Sequence, residues 1–185
     1  AEALARGGDV LLLVPEIAIT AQLIARLERI FGSRVTAYHS KLTLARRTES
    51  YLRLTRSDGG ELVVGARSAL FLPLRHLQLI VVDEEHDTGY KQTDAQPRYN
   101  ARDVAVVMAR LREARTVLGS ATPSLESYAN ARAGKYGLVE INERFGQVCL
   151  PEIHVEDVKE LRRKKMMTTP LAPQLISEIQ AALDD

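Results

Sequence analysis

Four carboxylates and a histidine occupy five consecutive positions at Asp83-Glu84-Glu85-His86-Asp87, directly after the apolar run Ile80-Val81-Val82. A carboxylate at the carboxyl end of a strand can hold Mg2+ through its water shell, because this ion dehydrates reluctantly and pairs one or two carboxylates with phosphate oxygens. Asp83 stands in that position. Glu84 projects differently and can polarise a water for in-line attack on a phosphate. Taken alone, the cluster also reads as solvated loop acids after a buried strand. Zinc is disfavoured, since neighbouring strand-end residues diverge and no second histidine stands at ligand spacing from His86.

The elements that must hold this cluster alternate in type. Short apolar runs at 10–14, 35–39, 61–65, 79–83 and 116–120 have the composition of strands covered on both faces. Between them lie helical patterns. Thr20 caps one whose Leu23, Leu27, Ile30 and Phe31 share a face, with Gly32 as its stop. Thr43 caps an arginine-rich helix running to Arg56, and Asn100 caps one that buries Val104, Val107, Met108 and Leu111. Thr122-Pro123 opens a further helix ending at Gly134. Such alternation with short connections predicts an α/β fold, a mostly parallel, doubly wound sheet with helices on both faces. Beyond Gly134 the pattern weakens: 136–141 and 153–158 are candidate edge strands, and Arg162-Arg163-Lys164-Lys165 reads as a linker. Thr169-Pro170 opens a last helix with Leu171, Leu175, Ile179 and Leu183 on one stripe, which asks for a covering partner.

Composition narrows the function classes. The 185 residues are 45% hydrophobic and 26% charged with a formal net charge of +1, so any nucleic-acid contact must come from a local patch. A single Cys149 excludes a disulfide framework or a cysteine zinc site within this chain and fits a reducing setting. The run at 10–14 is far too short to span a membrane or serve as a signal core.

Four blocks in order sharpen the reading of the acidic cluster. Asp83-Glu84-Glu85-His86 resembles the Walker B, or DEAH, box of superfamily-two helicases. Pro15-Glu16-Ile17-Ala18-Ile19-Thr20 resembles their motif Ia, Gly65-Ala66-Arg67-Ser68-Ala69-Leu70-Phe71 their motif Ib, and Gly119-Ser120-Ala121-Thr122-Pro123-Ser124 their motif III. The wording of these blocks is most similar to the PriA-type replication-restart helicases, with the segment 83–103 as the strongest piece, and the resemblance covers essentially the whole chain. It implies a RecA-like (P-loop NTPase-like) lobe from an ATP-dependent 3′-to-5′ DNA helicase that assembles primosomes at stalled forks in the bacterial cytoplasm, associated with the nucleoid. The implied cofactors are ATP and Mg2+. The implied partners are single-stranded and forked DNA, primosome proteins and single-strand-binding protein, with no membrane.

Carried onto this sequence, the resemblance makes Asp83 the magnesium ligand and Glu84 the catalytic base, with His86 beside them at the nucleotide. Ser120 and Thr122 would couple the nucleotide site to the DNA site. Thr20, Arg67 and Ser68 would grip a strand's phosphates, partly through amides at helix starts. Arg67 has a plainer alternative as a surface ion pair. The segment after the acidic box is similar to the family's aromatic-rich loop, and Tyr90, Lys91, Arg98 and Tyr99 combine rings with cations suited to bases and phosphates. Both tyrosines can instead serve as anchors beneath the loop. Asn100 and Pro97 stand where histidine and tryptophan are frequent in that family.

No G-x-x-x-x-G-K-[ST] occurs in the chain; Gly134-Lys135-Tyr136 lacks both the upstream glycine and the following hydroxyl. With Ala1 rather than methionine first, residues 1–8 read as the tail of the helix that follows the phosphate loop. The expectation is therefore a partial lobe at 1–142, then an inter-lobe linker and the start of a following region at 143–185. Such a chain would be inactive alone. The arginine finger and zinc-binding cysteines of the resemblance would lie downstream.

Two other function classes stay open. One is a different motor on the same lobe, an RNA helicase or a restriction translocase. The other is a degenerate lobe that only binds DNA or a partner protein, against which the intact Asp83-Glu84 pair speaks. Arg46, Arg47, Arg53 and Arg56 read as the solvated face of their helix; His39 reads as a structural hydrogen-bonder and Cys149 as a small, partly buried residue.

Overall fold

The computed structural model describes residues 1–93, 96–142 and 152–184. Five strands form, β1 (Asp9–Leu13), β2 (Val35–Tyr38), β3 (Leu62–Gly65), β4 (Leu77–Val82) and β5 (Arg115–Leu118), and they join one sheet in the order β2-β3-β1-β4-β5. Every pairing is parallel. The predicted doubly wound class is therefore the observed one.

Alternation along the strands sorts the core to two faces. Leu11, Leu13, Val63, Ile80 and Val82 pack on one side, beneath Ala101, Ala105 and Ala109 of α4 (Ala101–Leu111) and Leu54 of α3 (Leu44–Arg56). Val10, Val14, Leu62 and Val64 pack on the other, against Leu4 of α1 (Glu2–Ala5) and Leu23, Ile24, Leu27 and Phe31 of α2 (Ala21–Phe31). Thr20 caps α2, Thr43 caps α3 and Asn100 caps α4, each accepting a backbone N–H as expected.

Several local expectations fail for identifiable reasons. The alanine stripe of α4 lets the helix lie close on the sheet, so Val104 and Met108 flank the contact while Val107 and Leu111 stand exposed. Ile30 of α2 is likewise exposed. The helix after β5, α5 (Leu125–Arg132), is capped by Ser124 rather than Thr122, because the Ser124 hydroxyl accepts the Ser127 N–H while the Thr122 N–H is engaged by the Ser120 hydroxyl. Residues 136–141 and 153–158 form no strand, since β-branched residues favour one only where a neighbour completes the ladder. Arg162 and Arg163 belong to α6 (Val158–Arg163), which Asp157 caps and a Glu160–Lys164 pair extends. The last helix, α7 (Pro173–Asp184), starts at Pro173; the Thr169 hydroxyl instead closes a local turn with the Leu171 N–H.

The chain divides into two compact units, Ala1–Leu138 and Val139–Asp185. In the second, Leu175, Ile176, Ile179 and Leu183 of α7 are exposed. Cys149 lies outside the described residues. Among the described residues no helix is long and apolar enough to cross a membrane.

Both ends of the sheet in the first unit are fixed by specific polar or steric devices. At the amino edge, the buried Asp9 carboxylate accepts the Glu61 N–H at 3.0 Å and the His76 N–H at 2.9 Å, tying β1 to the entrances of β3 and β4. At the carboxyl edge, a Cβ on Gly65 would sit 2.4 Å from the Ala69 Cβ and 2.5 Å from the Tyr38 carbonyl oxygen, so only glycine permits the chain to turn there. Leu13 is in register with both Gly65 and Val82, and Val82 with Leu118. Four strands thus end in one row.

Candidate nucleotide and nucleic-acid site

That row delivers the four sequence blocks to one edge. Val14-Pro15-Glu16 leaves β1, Ala66-Arg67-Ser68 leaves β3, Asp83-Glu84 leaves β4 and Gly119-Ser120 leaves β5. The Asp83 N–H donates to the Leu13 carbonyl at 2.9 Å, the Gly119 N–H to that of Val82 at 2.8 Å, and the Glu85 N–H to that of Gly119 at 3.0 Å. The acidic turn is therefore clamped to strands on both sides.

Within this clamp Glu84 adopts φ +48°, a left-handed conformation that costs a non-glycine residue about 1–3 kcal/mol and persists only where its surroundings impose it. The Asp83 carboxylate accepts the Glu84 N–H at 3.1 Å, and the Asp87 N–H closes the turn on the Glu84 carbonyl at 2.8 Å. The reversal sorts the side chains: Asp83, Glu84 and His86 face solvent, whereas Glu85 turns inward and is 2% exposed.

His86 links two of the blocks. Its Nδ1 lies 2.7 Å from the Ser120 Oγ and 3.5 Å from the Glu84 carboxylate, and the Ser120 Oγ also accepts the Thr122 N–H at 3.0 Å. Glu84, His86, Ser120 and Thr122 form one run of contacts along the edge. Among the described residues no three His, Cys, Asp or Glu groups gather around a metal position. A site fully ligated by protein is thus not formed there, while hydrated Mg2+ asks only for a carboxylate such as Asp83 and a substrate's phosphates.

The loop after the acidic box divides the predicted nucleic-acid residues. Tyr90 is buried, and its hydroxyl donates to the Asp83 carbonyl at 2.7 Å. Its ring is therefore an anchor and is not open to a base, which corrects the stacking expectation for this residue. Burial, then the charges of Asp83, Asp87 and Glu84, push its phenol well above the usual range. Arg67 is no surface ion pair: it donates to the Lys91 carbonyl at 3.0 Å and the Gly89 carbonyl at 3.4 Å, bracing the loop from the turn after β3. Lys91, Arg98, Ser68 and Thr20 are exposed. Tyr99 is half-buried and packs edge-to-face with Phe71 at 5.3 Å between ring centroids. Phe71, 57% exposed, is a ring that sequence reasoning passed over, although it closes the block at 65–71. A cleft of about 290 Å3 opens between these blocks, lined by Pro15, Glu16, Ser40, Arg67, Ser68 and Tyr90 among others; Thr20 caps α2 outside this lining. In the arginine-rich helix, Arg53 pairs with Glu61 at 2.7 Å and Arg47 lies over the Tyr38 ring.

A buried polar hub was also missed. Glu85 accepts from the Ser124 N–H at 2.6 Å, the Ser124 hydroxyl at 3.1 Å, the Ser127 hydroxyl at 2.8 Å and the Arg102 guanidinium at 3.1 Å. Burial pushes this carboxyl up, but the Ser124 N–H, then Ser127, Arg102 and the Ser124 hydroxyl, outweigh it and hold Glu85 below its ordinary 4.5. A depressed folded-state value means that the ionised network stabilises the fold above pH 4.5 and loses that contribution as the pH falls below it. Glu85→Gln is expected to cost about 1–3 kcal/mol at neutral pH. Its melting temperature should converge on that of the unaltered protein on acidification, a comparison that a pH series of thermal melts makes directly.

The edge so built, an Asp-Glu pair at a parallel strand end with three accompanying blocks in register, belongs to a RecA-like α/β lobe. The DEAD/DEAH box helicase family model matches residues 2–131, and the chain belongs to that family. Among its relatives is the replication restart protein PriA of Chlamydia pneumoniae, 44% identical over 174 residues, which covers 94% of this chain and 23% of the relative. The PriA proteins of Bacillus subtilis (strain 168), 42% identical over 157 residues (85% of this chain, 19% of the relative), and Rickettsia conorii, 43% identical over 185 residues (100% and 28%), are similar. The chain thus spans about a quarter of the length of these relatives.

Proposed function

We propose that this chain is most of the first motor lobe of an ATP-dependent 3′-to-5′ DNA helicase of replication restart. The observation that supports this reading is the in-register row that brings Asp83 and Glu84, exposed and clamped, to the same edge as the three accompanying blocks. Residues 1–142 would be the lobe, and 143–185 the linker and the start of the next region.

Asp83 fits a hydrated magnesium ion, which when bound neutralises charge developing on the phosphate. Glu84 takes the proton of the attacking water, and the imposed left-handed backbone keeps its carboxylate in place beside His86. His86 and Ser120, with Thr122 behind them, pass the state of this site toward the strand-binding surface. There Lys91, Arg98, Ser68 and Thr20 meet phosphates, while Tyr99 and the adjoining Phe71 offer ring faces to bases. Arg67 acts mainly by holding the loop. In the cell the whole protein would be cytoplasmic and nucleoid-associated, working on forked DNA with primosome proteins and single-strand-binding protein. Zinc would be confined to regions downstream of this chain.

The test is ATP hydrolysis by the full-length protein with single-stranded DNA, with RNA and with neither. DNA should stimulate and RNA should not, and the isolated 185-residue chain should hydrolyse nothing above background, lacking a phosphate loop. Equal stimulation by RNA would redirect the assignment to an RNA motor, and no hydrolysis at all would favour a binding module.

A further inference from the structure

Arg67, the one cation of the block at 65–71, is spent on the loop, where its Nη1 donates to the Gly89 and Lys91 carbonyls. A second guanidinium lines the same cleft of about 290 Å3. Arg47 reaches it from α3, outside all four blocks, alongside Ser40, Arg67 and Ser68. It closes the first turn of that helix, its N–H donating to the Thr43 carbonyl at 3.0 Å.

The Arg47 side chain is held in place but not neutralised. Tyr38, the last residue of β2 and in register with Gly65, sets its ring centroid 5.4 Å from the Arg47 Cζ and its hydroxyl 3.4 Å from Nε. Arg47 is half-buried there. Among the described residues neither Nη has a hydrogen-bond partner, and no carboxylate comes within ion-pair distance. Glu16, the acid at this cleft, accepts instead from the Ser40 hydroxyl. Nor does α3 gain from the charge: its first turn holds no acid, and a cation at a helix N-terminus opposes the macrodipole. An aromatic ring thus fixes a guanidinium whose two Nη groups remain unspent, a planar fork of the kind that takes a phosphate in a bidentate grip.

From this geometry, and resting on the helicase reading above, we infer that Arg47 is a strand-positioning residue. Its Nη fork grips one phosphodiester of the bound single strand in the cleft beside Ser68, and Tyr38 sets the angle of the fork. The work expected of Arg67 is thereby divided between two arginines, one bracing the loop and the other holding the strand. Phosphate contacts fix register without reading bases, so Arg47 acts on every sequence alike.

The experiment titrates the full-length protein with single-stranded oligothymidylate over a series of salt concentrations, with ATP affinity measured separately. Arg47→Gln, Arg47→Lys and Arg56→Gln are compared with it, all below their melting temperatures. Glutamine keeps most of the stem that packs on Tyr38 and removes the charge. Arg56, exposed at the far end of the same helix, controls for the change in net charge. In Arg47→Gln the slope of log affinity against log salt should shrink by about 0.7, the share of one single-strand phosphate. Affinity at low salt should fall about 10–100-fold, as for a lost hydrogen bond to a charged group. Arg47→Lys should keep the slope and recover only part of the affinity, because an ammonium lacks the fork. Arg56→Gln should match the unaltered protein in both. An unchanged slope in Arg47→Gln overturns the inference while the helicase reading stands. So does an equal loss in Arg56→Gln, or a loss confined to ATP affinity, which would make the phosphate the nucleotide's. If the unaltered protein does not bind oligothymidylate at any salt concentration, the helicase reading fails and this role fails with it.

Discussion

Glu84→Gln in the full-length protein is expected to lower ATP hydrolysis by about 10²–10⁴-fold, the usual contribution of a positioned general base, while leaving nucleotide affinity nearly intact. The amide matches the carboxylate in shape but cannot accept a proton, and Asp83, the candidate magnesium ligand, is untouched. Asp83→Asn should differ by weakening nucleotide binding as well. The backbone supplies an independent check. At φ +48° glutamate is strained where glycine is not, so Glu84→Gly should be equally inactive yet no less stable than the unaltered protein. Single-turnover hydrolysis, equilibrium nucleotide binding and thermal melts on the same three variants separate the chemistry from the strain. A Glu84→Gln protein that still turns over ATP at the original rate would remove Glu84 from the base role.

How much of this site could be read from residue order depended on how local its determinants are. Caps at Thr20, Thr43 and Asn100 satisfy nearby amides, and apolar runs bury themselves on both faces wherever parallel neighbours exist, so the five sheet strands, α2 to α4 and the four blocks at the strand ends were legible. The fate of each acid was not. Nothing local separates Glu85 from Glu84; a single left-handed residue turns one outward and the other inward, and the partners that make burial tolerable lie 17 to 42 positions away. Arg102 likewise acquires its buried partners only when the alanine stripe of α4 brings its first turn against the sheet. Phe71 was passed over because an exposed ring acquires meaning only from its neighbour, here Tyr99.

Tyr90 shows the same limit and carries the largest expected loss of stability. Beside Lys91 in a polar loop it has the sequence environment of a stacking residue, yet it is 2% exposed and belongs to the core cluster under α4. Tyr90→Ala should cost about 3–5 kcal/mol, the range for emptying a buried aromatic site. Tyr90→Phe keeps the ring and loses only the 2.7 Å bond to the Asp83 carbonyl, so about 0.5–1.5 kcal/mol is expected from denaturant melts. The phenylalanine variant also separates the two roles. A stacking residue would lose nothing in stability, because the ring face is unchanged, whereas an anchor loosens the residue it holds. Since that residue is Asp83, Tyr90→Phe should also weaken the magnesium dependence of hydrolysis in the full-length protein while leaving its affinity for single-stranded DNA unaltered. Weaker DNA binding with unchanged stability would instead return Tyr90 to the strand-binding surface and mean that the loop opens to expose it.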